Sequence, residues 1–215
     1  MIKTKHILLI FAPAVLLIVI IFWIRLAQYN LIFKKPNITQ EQIKPELELI
    51  PIFPDDPVIG EVTAGKTVVV FEDFACQGCK NQMVLLDALR TRYPGRIKII
   101  WKGLSVKTFP VSSEPAQRYA YCANQQNKFE EFKNLAFDNT DNLSPETLSA
   151  IVTDIELDTV MLEECLATSG PDDYVERNKQ LAILLNIQSV PAVFINNEQV
   201  TPPAYVEGWE TILQL

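Results

Sequence analysis

The chain has 215 residues, 48% of them hydrophobic, and a formal net charge of −7. This length gives one ordinary domain with room for a leader or anchor. There is no Lys/Arg cluster of the kind that grips nucleic acid, so no nucleic-acid partner is expected, and the acidic balance mainly favours solubility.

The first element is an uncharged apolar run from Ile7 to Ile24, with Lys3 and Lys5 before it and Arg25 after it. It is long enough to span a bilayer with snorkelling ends. A cleaved signal peptide is the competitor, but the run exceeds a signal h-region and no small-x-small site follows it. The expectation is a retained single-pass membrane anchor over residues 1–27. Flanking positive charges are nearly balanced, so they leave its orientation open. Pro36, Pro45, Pro51, Pro54 and Pro57 then mark a semi-extended linker over 28–57. The domain is expected to fill 58–215, opening near Asp55-Asp56-Pro57-Val58-Ile59-Gly60.

The stretch from Thr67 to Phe74 is β-branched and aromatic almost throughout, as a strand covered on both faces should be. Cys76-Gln77-Gly78-Cys79 follows, then an apolar stripe of Met83, Leu86, Leu89 and Tyr93. The spacing predicts a helix that starts at Cys76 and stops at Pro94-Gly95. Positions i and i+3 of a first helical turn share a face and can be bridged. Unpaired N–H groups and the positive dipole end favour a thiolate at Cys76. Cys76 is therefore the expected attacking or leaving sulfur and Cys79 the resolving one. A structural pair or half a zinc site would use the same motif. Four cysteines including a CxxC suit an oxidising compartment. That places the N-terminus in the cytoplasm and the domain outside it.

Arg96 to Trp101 reads as a second strand. Helical stripes then run from about 113 to 186. Ser113 with Pro115, Ser144-Pro145, Asp158 and Pro171 serve as starts. Cys122 and Cys165 lie in this block. A structural disulfide, two buried thiols, and metal ligands or a second redox pair all fit them, and an even count favours the disulfide. Ser189 to Asn197 is a short apolar strand ending in a polar turn. Val200 starts its hairpin partner, and Pro202 or Pro203 opens a closing helix through Trp209 and Leu213.

Three stretches together carry a family resemblance: Val68 to Lys80, Ala120 to Phe129, and Val190-Pro191-Ala192-Val193-Phe194-Ile195-Asn196. In this order and spacing they resemble the thioredoxin fold in its DsbA-like, membrane-tethered form. The resemblance implies an α/β fold with a helical insertion between the second strand and a cis-proline strand. It also implies thiol–disulfide exchange at Cys76 and Cys79 with the thiols of secreted or membrane proteins. Pro191 matches the family's cis-proline. Val190, Gln77 and Gly78 would contact substrate. No cofactor or metal is implied, and a quinone-linked membrane protein would reoxidise an oxidase.

Two departures stand out. The family's buried acid, six residues before the first cysteine, is Val70 here; Glu72 and Asp73 fall elsewhere on the strand, with Asp73 expected exposed beside the site. The Gln77-Gly78 dipeptide lacks a histidine, which suggests a milder oxidant or even a reductant. Lys80 is expected to be solvated. An isomerase, or a binding module with a permanent Cys76–Cys79 bridge, are the other readings. A thioredoxin-fold copper carrier needs a distant histidine together with the CxxC, and the single histidine, His6, precedes the apolar run. A four-cysteine zinc site lacks its second close pair.

Overall fold

The computed structural model describes residues 16–25, 49–108 and 111–215. The chain divides into two units, Met1–Pro45 and Glu46–Leu215. In the first, residues 16–25 are helical and their large apolar side chains are exposed. Among the described residues no helix is long and apolar enough to cross a membrane. The start of the expected anchor and most of the expected linker lie outside the described residues.

The second unit is built on a mixed five-stranded sheet. Its strands are β1 (Val58–Gly60), β2 (Lys66–Glu72), β3 (Ile97–Gly103), β4 (Ala192–Ile195) and β5 (Glu198–Val200), in the order β1-β3-β2-β4-β5. β2 and β3 run parallel, with Val70 beside Trp101 and Glu72 beside Gly103. β4 runs antiparallel to β2, with Val70 beside Val193. Seven helices surround the sheet: α1 (Gln77–Arg92), α2 (Glu114–Gln125), α3 (Phe129–Asp138), α4 (Pro145–Asp154), α5 (Thr159–Leu166), α6 (Gly170–Leu184) and α7 (Val206–Leu213). Helices α2 to α6 are the insertion between β3 and β4. Asn196 and Asn197 take positive φ (53° and 67°) in the β4–β5 turn, a conformation asparagine tolerates. The closing helix begins at Val206, later than Pro202 or Pro203 suggested. Those prolines make the approach to it, with Tyr205 extended before the first turn.

Strand alternation sorts the core into two layers. Val68, Val70, Phe74 and Trp101 face one cluster with Met83, Leu86, Leu89, Phe129, Phe132 and Trp209. Within it Phe74 stacks on Trp101 at 5.0 Å and meets Phe132 and Phe137 edge-on at 5.9 and 5.3 Å. Such pairs add about 0.5–1.5 kcal/mol each beyond area burial. Phe74 therefore ties the end of β2 to helix α3. The other cluster places Val69, Phe71, Ile100 and Phe194 against Leu181 and Ala182 of α6. Cys122 of α2 and Cys165 of α5 are joined by a disulfide with Cα atoms 5.9 Å apart. No described cysteine is free.

The domain begins before the expected boundary at 58. Ile50 is buried in the α6 layer, and its N–H donates to Asn197 Oδ1 at 3.0 Å. Lys102 Nζ donates to the Pro51 carbonyl at 2.8 Å and lies 4.7 Å from the Phe53 ring centre. Arg177 sits 4.1 Å from that same ring and makes two bonds to Asp55, at 2.8 and 2.9 Å. Lys102 also pairs with Asp56, both side chains wholly buried. Burial pushes the Asp56 carboxyl up and the Lys102 ammonium down from their ordinary values, and each partner opposes the other's shift. The prolines that suggested a linker here instead shape a strap whose charges and carbonyls find partners on β3 and α6.

This arrangement makes a stability prediction. Asp56→Ala leaves the buried Lys102 ammonium without its counter-charge and should cost about 3–5 kcal/mol. The double variant Asp56→Leu/Lys102→Met removes both charges and should recover most of that loss. Urea midpoints of the three proteins measure it.

Candidate active site

The site forms where β2 ends. The Asp73 carbonyl accepts the Cys76 N–H at 3.0 Å, closing the turn that delivers the cysteine. Cys76 is the N-cap of α1, with extended backbone (φ −111°, ψ 113°), and its Sγ accepts the Cys79 N–H at 3.1 Å. A sulfur therefore does the work usually done by a serine or aspartate oxygen. The first turn of α1 holds no acidic residue that would compete for the dipole. Cys76 and Cys79 are disulfide-bonded, with Cα atoms 5.2 Å apart. Cys76 is half-buried and Cys79 fully buried, so attack from solvent is directed to Cys76.

The Val190–Pro191 peptide is cis, and it stands beside this turn. The Val190 carbonyl oxygen lies 3.7 Å from Cys76 Sγ. A Cβ placed on Gly78 would touch Pro191 Cδ at 3.4 Å and Cys76 Sγ at 3.7 Å. The proline ring thus packs directly over the first turn. The fold brings together Cys76, Gly78 and Cys79 of the motif with Val190 and Pro191 of the segment entering β4. Gln77 is exposed at the helix start, its amide donating to Asn81 Oδ1 at 3.1 Å.

Three charged neighbours differ from the sequence expectation. Lys80 is not simply solvated: its ammonium pairs with Asp138 at the end of α3, at 3.0 Å. Asp73 is not exposed but fully buried. Its Oδ1 accepts the Ala75 N–H at 2.9 Å, and its Oδ2 accepts those of Val106 and Lys107 at 2.7 and 3.0 Å. Glu72 does not fall away from the face of Val70. Residues two apart on a strand share a face, so Glu72 points into the same layer as Val70 and Phe74.

Glu72 is fully buried, and neither carboxyl oxygen has a hydrogen-bond donor. Burial raises its pKa well above the ordinary value, Lys133 opposes the rise, and Asp73 adds to it. Lys133 is itself committed to Asp87 of α1, at 2.7 Å. The Gln117 amide lies over the same spot: its Nε2 donates to the Glu72 carbonyl at 3.2 Å, and its Oε1 has no donor. The neutral acid form of Glu72 avoids an uncompensated charge in this buried place. The signal for it in the sequence was the alternation Val68, Val70, Glu72, with an acid at an inward position.

A family model described as thioredoxin matches residues 53–214. Among solved structures, the catalytic domain of Proteus mirabilis ScsC aligns with a TM-score of 0.62 at 21% identity, covering 74% of this chain and 88% of that one. The thiol-disulfide exchange protein alpha-DsbA2 from Wolbachia pipientis aligns at 0.65 and 18%, covering 74% and 86%. Oxidised BdbD from Bacillus subtilis aligns at 0.63 and 18%, covering 74% and 91%. At these identities the likeness is one of fold. No curated protein sequence matches significantly.

Glu72 sets a pH dependence. The folded protein holds this proton more tightly than the unfolded chain, whose carboxyl titrates near 4.5. Stability from this group is therefore complete below that pH and is lost as the pH rises towards the folded value. Glu72→Gln should be more stable than wild type at pH 7.5 by roughly 1–3 kcal/mol, the range for an uncompensated buried polar group. The difference should vanish near pH 4 in matched denaturant titrations.

Proposed function

The chain belongs to the thioredoxin family matched over residues 53–214, and on that premise we propose that it is an extracytoplasmic thiol–disulfide oxidoreductase that introduces disulfides through Cys76 and Cys79. The observation that carries this reading is the Cys76 sulfur: an N-cap acceptor, half-buried, 3.7 Å from the Val190 carbonyl and bonded to a buried partner. The neighbour from Wolbachia pipientis is described as a thiol-disulfide exchange protein, which adds weight to the same chemistry.

The proposed cycle makes use of this geometry. A substrate thiolate attacks Cys76 Sγ, the Cys76–Cys79 bond breaks, and Cys79 leaves with the electron pair and takes up a proton. A second substrate thiolate then attacks the substrate sulfur of the mixed disulfide, and Cys76 leaves as a thiolate stabilised by the α1 N-terminus. Two electrons have passed from substrate to the pair. They must go on to an oxidant, for which a quinone-linked membrane protein is the proposed acceptor. Secreted or membrane protein thiols are the proposed substrates. The apolar run Ile7–Ile24 supports a single-pass anchor with a cytoplasmic N-terminus, and two bridged cysteine pairs suit an oxidising compartment.

One observation favours the reverse direction as a second reading. Lys80 spends its charge on Asp138 and the Gln77-Gly78 dipeptide brings no cation, so the Cys76 thiolate is held by helix and backbone alone. Weaker thiolate stabilisation makes a pair less oxidising.

Equilibration of the full-length protein with glutathione decides between them. A potential near about −120 to −180 mV marks a disulfide donor, and one near about −270 mV marks a reductase. In either case Cys79→Ser should accumulate mixed disulfides with thiol substrates and Cys76→Ser should form none. The absence of any reversible couple would overturn the enzyme reading.

A further inference from the structure

Two groups bear on the charge that Cys76 carries once it is released as a thiolate. One is the amino end of α1, whose dipole favours that charge. The other stands before the helix, in the turn that delivers the cysteine. Asp73 opens this turn: its carbonyl accepts the Cys76 N–H at 3.0 Å, and its Oδ1 accepts the Ala75 N–H at 2.9 Å. The carboxylate thus lies one hydrogen bond away from the residue next to Cys76.

The surroundings of that carboxylate suit its ionised form. Its Oδ2 accepts the N–H groups of Val106 and Lys107 at 2.7 and 3.0 Å, so both oxygens act as acceptors and every partner is a donor. A protonated carboxyl would set its own hydrogen against one of these N–H groups. Asp73 is fully buried. Among the described residues no lysine or arginine pairs with it: Lys80 is given to Asp138, Lys133 to Asp87 and Lys102 to Asp56. Its backbone donors are neutral dipoles, which make a buried charge tolerable without cancelling it. The neighbouring acid, Glu72, is driven by burial towards its neutral form, so the formal charge beside the turn is that of Asp73.

A charge in a buried place is weakly screened by salt and acts over several ångströms. Its sign here is that of the Cys76 thiolate, and like charges disfavour one another. Asp73 therefore subtracts from what the helix end adds. In the disulfide neither sulfur is charged, and the opposition is absent.

We propose that Asp73 is a positioning residue that also acts as the electrostatic counterweight to the α1 terminus: its carboxylate disfavours the Cys76 thiolate, raises the reduced pair relative to the disulfide, and makes the protein a milder disulfide donor than a helix-capping cysteine alone would be. The inference rests on the exchange chemistry proposed above. In the last step of that chemistry the bond between Cys76 and the substrate sulfur breaks and Cys76 keeps the electron pair. An anion already held in the turn makes that sulfur a poorer leaving group.

The test compares the full-length wild type with Asp73→Asn and Asp73→Ser, two uncharged side chains that still offer an oxygen to the Ala75 N–H. Each protein is equilibrated with glutathione at neutral pH, and the pH profile of Cys76 alkylation is measured on the reduced form. Loss of the charge should favour reduction of the pair by about tenfold, which is about 30 mV in the oxidising direction for a two-electron couple. The alkylation profile should move about one pH unit lower, the same tenfold. A purely structural role predicts the opposite sign: a loosened turn weakens the Cys76 cap, moves the profile higher and makes the pair less oxidising. A profile and a potential that stay in place or move that way, in whichever variant folds, overturn the inference. A wild-type protein with no reversible couple would instead overturn the exchange reading beneath it.

Discussion

A sulfur atom caps the helix that displays it. Cys76 Sγ accepts the Cys79 N–H, so the hydrogen bond that starts α1 and the electrostatics that favour a thiolate are the same interaction. The rest of the domain serves to keep that bond in place. Phe74 locks the turn from below through its stack on Trp101, Asp73 locks it from the side, and Pro191 covers it from above. These contacts hold the turn between β2 and α1 without adding a charged group at the sulfur. Reactivity in such a site is a property of backbone placement more than of any charged side chain.

Burial of polar groups is the second theme, and the two faces of the sheet treat it differently. On the α6 side the cost of burying Lys102 is offset by Asp56, a backbone carbonyl and an aromatic ring. The result binds the N-terminal strap to the sheet. On the α1 side Glu72 has no donor, and Gln117 Oε1 and Trp101 Nε1 are left without partners beside it. The sheet explains why they gather there. Gly103 stands opposite Glu72, and the Gln117 amide fills the space its side chain would take. A paired charge on one face gives adhesion; an unpartnered carboxyl on the other makes the core beneath the Cys76–Cys79 disulfide responsive to pH.

The sequence made much of this legible. The β-branched run, the CxxC and the stripe after it already contain the strand, turn and helix, because their periods change from two to nearly four within a few residues. The helical block and the Val-Pro strand were equally clear in order. What escaped was long-range. Asp73 looks exposed when its neighbours are read locally. It is buried because the chain returns 33 and 34 residues later, at Val106 and Lys107, to offer it backbone N–H groups. The residues around Pro51 and Pro54 look like a tether until Lys102 and Arg177 supply partners that no local window contains. Glu72 was visible in principle, since strand alternation alone puts it on the face of Val70.

The pairing of the four cysteines has a consequence for how the molecule is made. Four cysteines can combine in three ways, and here each is joined to the next in the chain, Cys76 to Cys79 and Cys122 to Cys165. For a polypeptide synthesised amino-end first, that is the pattern reached when every cysteine simply bonds with the following one to appear. The correct connectivity is therefore encoded in the order of arrival, and no shuffling of mispaired bridges is required before the domain can begin its own work.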